Sequence, residues 1–271
     1  MTATVLLGTQ GWNHSSWEGP FYPIRTPERD RLALYGAAFS TVEVGATFHA
    51  VPSEPVMVGW RSQVPDGFLF SLKVPQEITH ERRLVDCGDV LTRFCRRAAL
   101  LGPALGPLVA QLSPDFRPSL ATRQALEAFL AALPADFRWA IEFRHPAWLV
   151  GGTLDRLAAH RVALVLADGR WIPRSTMLDL ALQPTTDFAY VRWIGSGRGP
   201  EDFSRSQIDR RYDMGLWAAV LERLSDRVDL LLGYFSNQYE GHGPHSVRVL
   251  ERLLGGSARP EALRQHVSPL S

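Results

Sequence analysis

The sequence is nearly without lysine: of its 29 basic residues, 28 are arginine and one is Lys73. A bias that strong points to codon composition rather than to chemistry at each site. It also singles out the exception, because a compact amine can lose its proton and a guanidinium cannot. Chance survival of one lysine is the plain alternative. Cysteine is scarce as well. Cys87 and Cys95 have neither the paired spacing of a zinc site nor a redox motif, which argues against a disulfide framework. No run of about 18 apolar residues occurs, and no basic N-terminal segment leads into an apolar stretch with a cleavage site, so a soluble cytoplasmic protein is expected. A charge imbalance is also missing. With a formal net charge of +1, nothing draws the whole chain toward nucleic acid or an acidic membrane, and such binding would have to come from a local patch.

The chain does have an ordinary globular composition, 45% hydrophobic and 21% charged, over 271 residues. That is enough for one barrel-sized domain spanning 1–271, with about 256–271 expected as a flexible polar tail. Short apolar runs bounded by turn residues predict strands at Val5–Thr9, Thr41–Val44, Phe68–Pro75, Pro107–Leu112, from Trp139, Val162–Asp168, Phe188–Ile194 and Leu230–Phe235. Helical patterns separate them. One starts near Pro27 with Leu32, Tyr35 and Phe39 on one face, a second carries Val56 and Trp60, and a third holds both cysteines. Others present Leu126, Phe129, Leu130 and Leu133, or Tyr212, Leu216, Val220 and Leu224, and the last runs from about Pro244 to Leu254. The segment from Trp171 to Pro184 is weakly helical. Eight such units at a period of roughly 30 residues predict a (β/α)8 TIM-type barrel, helices outside a parallel barrel. A doubly wound open sheet is the rival, and it offers no reason for eight units.

In a barrel, the C-terminal strand ends form the site. Those ends carry Glu43, Lys73, Gln111, Glu142, Arg144, Asp168, Arg192 and Asn237. Any one of them could be a solvated strand end or half of an ion pair. Eight together predict a mixed-charge pocket for a polar, anionic small ligand. Alternation puts Glu142 with Arg144, Ser71 with Lys73 and Tyr190 with Arg192 on shared faces, while His145, before Pro146, belongs to the turn. Glu142 and Asp168, on neighbouring strands, are the candidate acid and base, with Lys73 as an electrostatic or covalent participant. Pairing of each acid with a nearby arginine is the structural alternative. Arg144 and Arg192 suit a phosphate or carboxylate. Gly195-Ser196-Gly197-Arg198-Gly199 follows strand seven, where backbone amides often hold phosphate, though such loops are also simply flexible. Trp12, Trp17, Phe21 and Tyr22 either cover the mouth or pin their loop. Glu43, Glu142 and Asp168 with His49, His80 or His145 would be the donors for a divalent metal, but no local metal motif fixes such a site and none is assigned. A nucleophile elbow is absent.

Several motifs in order carry a family resemblance: Gly8-Thr9-Gln10-Gly11-Trp12, Phe21-Tyr22-Pro23, Thr41-Val42-Glu43-Val44, Thr47-Phe48, Pro65-Asp66-Gly67-Phe68, Lys73-Val74-Pro75 and Ile78-Thr79-His80. They continue as Leu105-Gly106-Pro107, Gln111-Leu112, Glu142-Phe143-Arg144-His145-Pro146, Trp148, Tyr190-Val191-Arg192 and Tyr234-Phe235-Ser236-Asn237. The chain resembles the YecE-like family, a domain of unknown function. The resemblance implies a TIM barrel and supports the same strand ends; it brings no reaction with it. The chain departs from the usual pattern at Gly45, Ala46, His49 and Ser236, which puts its ligand in question. With Trp12 and His80, which stand in these motifs, the candidate ligand contacts are Glu43, Gln111, Arg144, Arg192, Asn237, His80 and Trp12. The expected function is an enzyme, a hydrolase or an isomerase or lyase, acting on a small anionic or sugar-like substrate by acid/base chemistry. It requires no cofactor, and a divalent metal is compatible with it. A metal-dependent endonuclease-like or other nucleic-acid-binding barrel is the second reading, and a non-catalytic ligand-binding protein the third.

Overall fold

A computed structural model describes residues 3–197 and 199–255; the tail expected at about 256–271 lies outside the described residues. Strands β1 (Thr4–Gln10), β2 (Thr41–Val44), β3 (Leu69–Lys73), β4 (Leu105–Gln111), β5 (Trp139–Glu142), β6 (Val162–Gly169), β7 (Phe188–Gly195) and β8 (Leu230–Phe235) pair in sequence order. They form a closed barrel. All neighbours are parallel, and β8 returns to β1 in a register running from Thr4↔Leu230 to Thr9↔Phe235. The chain is therefore a (β/α)8 barrel, and the open-sheet rival falls with the closing ladder.

Helices α1 (Glu28–Ala38), α2 (Glu54–Ser62), α3 (Gly88–Ala98), α4 (Leu120–Ala132), α5 (Gly151–Ala159), α6 (Arg174–Leu180), α7 (Arg211–Leu224), α8 (Asn237–Glu240) and α9 (Gly243–Leu253) surround it. No helix among the described residues is long and apolar enough to cross a membrane. Pro27 stands just before α1, and Leu32, Tyr35 and Phe39 are buried as their spacing predicts. Two other helix faces come out differently. In α2 the buried side chain is Met57, while Val56 is largely exposed. In α7 Met214, Trp217, Ala218, Leu221 and Leu224 face the barrel, and Tyr212 points to solvent with 79% of its surface exposed. A constant four-residue step overshoots the helical turn by about 40° each time, so a row of such residues leaves the buried face that alternating steps of three and four keep. Cys87 sits just before α3, outside the helix that holds Cys95; both thiols are free and buried.

Two apolar layers result. The larger lies between strands and helices, and the smaller fills the barrel with Leu6, Val109, Ala140, Ala163, Val165, Phe188, Leu230 and Leu232, closed above by Tyr190 and Tyr234. Because side chains alternate along a strand, these interior residues fix which strand-end groups look into the mouth. One close approach shapes the entry of β1. A Cβ on Gly8 would meet the Thr41 carbonyl oxygen at 2.0 Å and the Tyr35 hydroxyl at 3.0 Å. That hydroxyl is wedged between β1 and β2, accepting from the Thr9 amide at 2.8 Å and donating to the Thr41 carbonyl at 3.1 Å. The β1–β2 ladder accordingly covers only Thr9↔Val42 and Gln10↔Glu43.

Candidate functional site

The floor of the mouth is a pair of phenols. Tyr190 and Tyr234 lie with ring centroids 5.0 Å apart. The Tyr234 hydroxyl is shared with Ser71 at 2.6 Å and Thr41 at 2.8 Å, and Tyr190 donates to Glu43 Oε2 at 2.8 Å. Above them Arg192 forms the centre of a buried network. Its Nη2 donates to Glu43 Oε1 at 2.8 Å, and its Nη1 donates to Glu142 Oε2 and, at 3.2 Å, to Gln111 Oε1. Arg144 closes the ring, with Nε on Glu142 Oε1 and Nη2 on Gln111 Oε1, both at 2.7 Å. Five of the eight predicted strand-end residues, Glu43, Gln111, Glu142, Arg144 and Arg192, thus meet through direct hydrogen bonds. They lie on β2, β4, β5 and β7 or just after β5, on the face that continues the barrel interior.

Burial alone would raise the Glu142 carboxyl. The guanidiniums of Arg192 and Arg144 outweigh it, so the carboxyl is held below the ordinary glutamate value. Glu142 is therefore a fixed negative charge rather than a proton donor near neutrality. Arg192 is held charged by Glu142 and Glu43 despite the opposing effect of burial.

Lys73 completes the mouth. As the last residue of β3 it shares the inward face with Ser71, and its Nζ lies 3.7 Å from the centroid of the Phe48 ring. The Thr47 hydroxyl, 2.7 Å from the Lys73 carbonyl oxygen, fastens the turn Ala46–Phe48 against β3 and so sets that ring beside the amine. Among the described residues no carboxylate is within ion-pair distance of Lys73. Burial, with Arg192 adding to it, lowers the amine to about 8 against the partial offset of Glu43 and Glu142. Two carboxylates face two guanidiniums here, so a protonated Lys73 leaves one positive charge uncompensated. His80 stands on the neighbouring turn Glu77–Glu81 with its ring 5.0 Å from Phe48. Burial, followed by the charges of Lys73 and Arg144, lowers its pKa.

Three of the predicted site residues are placed elsewhere. Asp168 points away from the mouth: on β6 the inward residues are Ala163, Val165 and Ala167, so Asp168 faces the helices. Its Oδ2 accepts from Arg174 Nε at 2.7 Å, Trp217 Nε1 at 2.8 Å and the Tyr239 hydroxyl at 3.3 Å. The expected acid/base pair of Glu142 and Asp168 is not formed. Asn237 is structural too, its side-chain oxygen accepting from Trp17 Nε1 at 3.2 Å and from the Gly243 amide at 2.9 Å. Trp12 packs edge-on against Trp60 at 5.3 Å and Phe70 at 6.3 Å, pinning the loop after β1. His145 caps the turn Pro146–Trp148, its Nδ1 accepting from the Ala147 amide at 3.3 Å.

Asp168→Ala should therefore cost about 2–3 kcal/mol by urea denaturation, since it strips partners from Arg174 and the buried Trp217. The protein's single lysine gives one side-chain NMR signal, and its midpoint near about 8 should stay in place in that variant.

Other residues join the site that the strand-end reading left out. Gln10 is the inward residue opposite Glu43, and its buried Nε2 has no partner among the described residues; the buried Arg192 Nε has none either. The alternation that pairs Glu142 with Arg144 also reaches Gln10 from Leu6. A cleft of about 260 Å³ opens beside Glu142 and Arg144, walled by Trp171, Ile172, Met177 and Ile194 and edged by Arg170, Gly195 and Gly197. Arg170 lies over the Trp171 ring at 4.2 Å. Arg198, at the centre of the predicted glycine loop, lies outside the described residues. Gly45 and Ala46 are exposed beside the mouth, and a Cβ at Gly45 would meet nothing within 4 Å, so this departure from the family pattern leaves room there. Ser236 caps α8, its Oγ accepting from the Gln238 amide at 3.2 Å.

A cation site does not fit. Among the described residues no three His, Cys, Asp or Glu side chains gather to hold a metal. Glu43 and Glu142, two of the expected donors, already share the guanidinium of Arg192.

Comparison with known proteins agrees with this architecture. The protein YecE of Escherichia coli K12 is 33% identical over 171 residues, 61% of this chain and 60% of its own length, so the match spans about three fifths of that relative. A DUF72 family protein of Thermotoga maritima superposes with a TM-score of 0.78 at 24% identity, covering 93% of this chain and 99% of that one. More distantly, D-psicose 3-epimerase of Clostridium cellulolyticum shares the fold at a TM-score of 0.52 and 10% identity, covering 93% and 96%. With its sequence profile matching residues 6–268, the chain belongs to the family described as protein of unknown function DUF72.

Proposed function

We propose that the protein is an enzyme that moves a proton on a small, anionic, sugar-like substrate held in the barrel mouth, as an isomerase or lyase would. The observation that carries this reading is the amine of Lys73, without an ion-pair partner among the described residues, beside guanidiniums whose carboxylate partners are already engaged. Arg144 and Arg170 supply positive charge at the edge of the cleft for a carboxylate or phosphate, and Trp171 offers an apolar wall for a sugar ring. Lys73 is the group that exchanges the proton, because Glu142 is pinned as a carboxylate and an amine near 8 is poised for transfer close to neutral pH. Gln10 and Arg192, each with an unused buried donor, are placed to hold substrate oxygens. The fold shared with D-psicose 3-epimerase is consistent with a sugar-like substrate.

The test is a thermal-shift screen of sugar phosphates and sugar acids, followed by NMR detection of solvent deuterium entering each ligand that binds. A ligand at a hundred times its Kd should raise Tm by about 5 °C. Arg144→Gln should abolish most of that rise. If no anionic ligand shifts Tm, or if ligands bind without any exchange of deuterium, the reading is wrong.

A further inference from the structure

We infer that Lys73 is a covalent centre, whose amine condenses with the carbonyl of a small aldehyde or ketone carrying a carboxylate or phosphate and holds it as an iminium. This rests on the reading above for the anionic substrate and its place in the mouth, and it changes the part Lys73 plays: as an iminium the amine makes the adjacent carbon give up its proton and does not take that proton itself. Three independent observations converge on it. In a chain that uses arginine for 28 of 29 basic residues, the one lysine ends an inner strand at the barrel mouth, where a guanidinium would serve equally well for charge alone. A lysine placed for stability would be paired, yet among the described residues no carboxylate lies within ion-pair distance of Lys73; Glu43 and Glu142 are bound by Arg192 and Arg144, and Nζ rests on the Phe48 face. The surroundings are also built for an acidic carbonyl compound. Arg144 retains an Nη1 without a protein acceptor among the described residues, and Gln10 keeps a buried Nε2 without one.

The step balances without a co-reactant. The lysine nitrogen bonds to the carbonyl carbon as the C=O π bond breaks, giving a carbinolamine. Two protons that began on the ammonium pass to the oxygen, the C–O bond breaks, and one water leaves. Ammonium and carbonyl thus become iminium and water, with no net proton and no change of oxidation state. Attack needs the neutral amine, which at pH 7 is on the order of a tenth of the population for a group near 8. The iminium then withdraws electrons from the adjacent carbon, the property an isomerase or lyase of this kind requires.

The sequence makes the test unusually clean, since the chain's only amines are Lys73 and its N-terminus. The 271-residue chain is incubated at neutral pH with pyruvate or glyceraldehyde 3-phosphate and sodium cyanoborohydride, then read by intact mass and peptide mapping. The expected result is one saturable adduct on Lys73, formed at least tenfold faster than with the uncharged counterparts hydroxyacetone or glyceraldehyde, and absent from Lys73→Arg. Labelling confined to the N-terminal amine would overturn the inference. So would labelling of Lys73 that does not saturate, or that is no faster with the anionic compounds. Anionic ligands that raise Tm and exchange deuterium but leave no adduct would refute the covalent step alone; an absence of ligand binding as well would refute both readings.

Discussion

Arg192→Met should cost the folded protein about 3–5 kcal/mol at neutral pH, a large fraction of a typical domain's total stability. The guanidinium is buried and bridges two buried carboxylates, Glu43 and Glu142. Methionine fills similar volume, so little of the loss would come from a cavity. The loss comes from leaving two negative charges in a low-dielectric floor with Arg144 on one of them and only the Tyr190 hydroxyl on the other. The pH dependence is diagnostic. In the variant the Glu142 carboxyl loses the larger of its two guanidinium partners while its burial remains, so it rises, and the destabilisation is present at neutral pH and diminishes as acid protonates the carboxyl in place. The native protein behaves in the opposite sense. Its Glu142 is held low, so the stability it contributes is present above the unfolded value and is lost as pH falls through the folded one. Urea denaturation of both proteins between pH 4 and 8 should therefore show curves that converge toward acid. A parallel offset at every pH would mean that the loss is one of packing and that the network carries no electrostatic weight.

Lys73→Met should lower kcat/KM by about a factor of 10²–10⁴, the range typical of removing a group that transfers a proton. The folded state should tolerate the change, since the amine makes no ion pair among the described residues and its contact is with the Phe48 ring, which a methionine side chain can also meet. Lys73→Arg keeps the charge but should fail to restore activity, because guanidinium does not deprotonate in this range. That separates chemistry from electrostatic anchoring. On the proposed reading, kcat/KM of the unsubstituted protein should climb with pH and level off above a midpoint of about 8, the value to which burial and Arg192 lower the amine. The measurement is a pH–rate profile on the substrate identified by ligand screening. An arginine variant with near-native turnover would eliminate Lys73 as the proton-transfer group.

Asp168 and Asn237 lie away from the mouth for different physical reasons. β6 reads Val162 to Ala167 without a polar residue, apolar on both faces because one packs in the barrel and the other under helices. Alternation then says which residues share a face but not which face is inside. Its place at the strand end predicts Asp168 in the mouth, but Asp168 lies one residue out of phase with the inward Ala167. For β3, β5 and β7 the same rule gave correct companions, since Lys73, Glu142 and Arg192 each continue an interior series. Asn237 stands at the correct end of β8, but its oxygen is taken by Trp17, 220 residues earlier in the chain. No local pattern announces such a contact. Gln10 continues the inward series of Leu6 by the same parity, but it stands where the chain leaves β1 for a loop, which hides that signal.

The sequence by itself determined the alternation of eight strands and helices and the crowding of polar groups at the strand ends, because both follow from local periodicity and from where glycine and proline break it. Only the tertiary structure decided which of those groups meet. Barrel closure brings Glu43 and Arg192 together across 149 residues of chain and turns Asp168 outward. It leaves the lone lysine without an acid partner among the described residues, because side-chain parity relative to a closed interior is a property of the assembled sheet, not of any one strand.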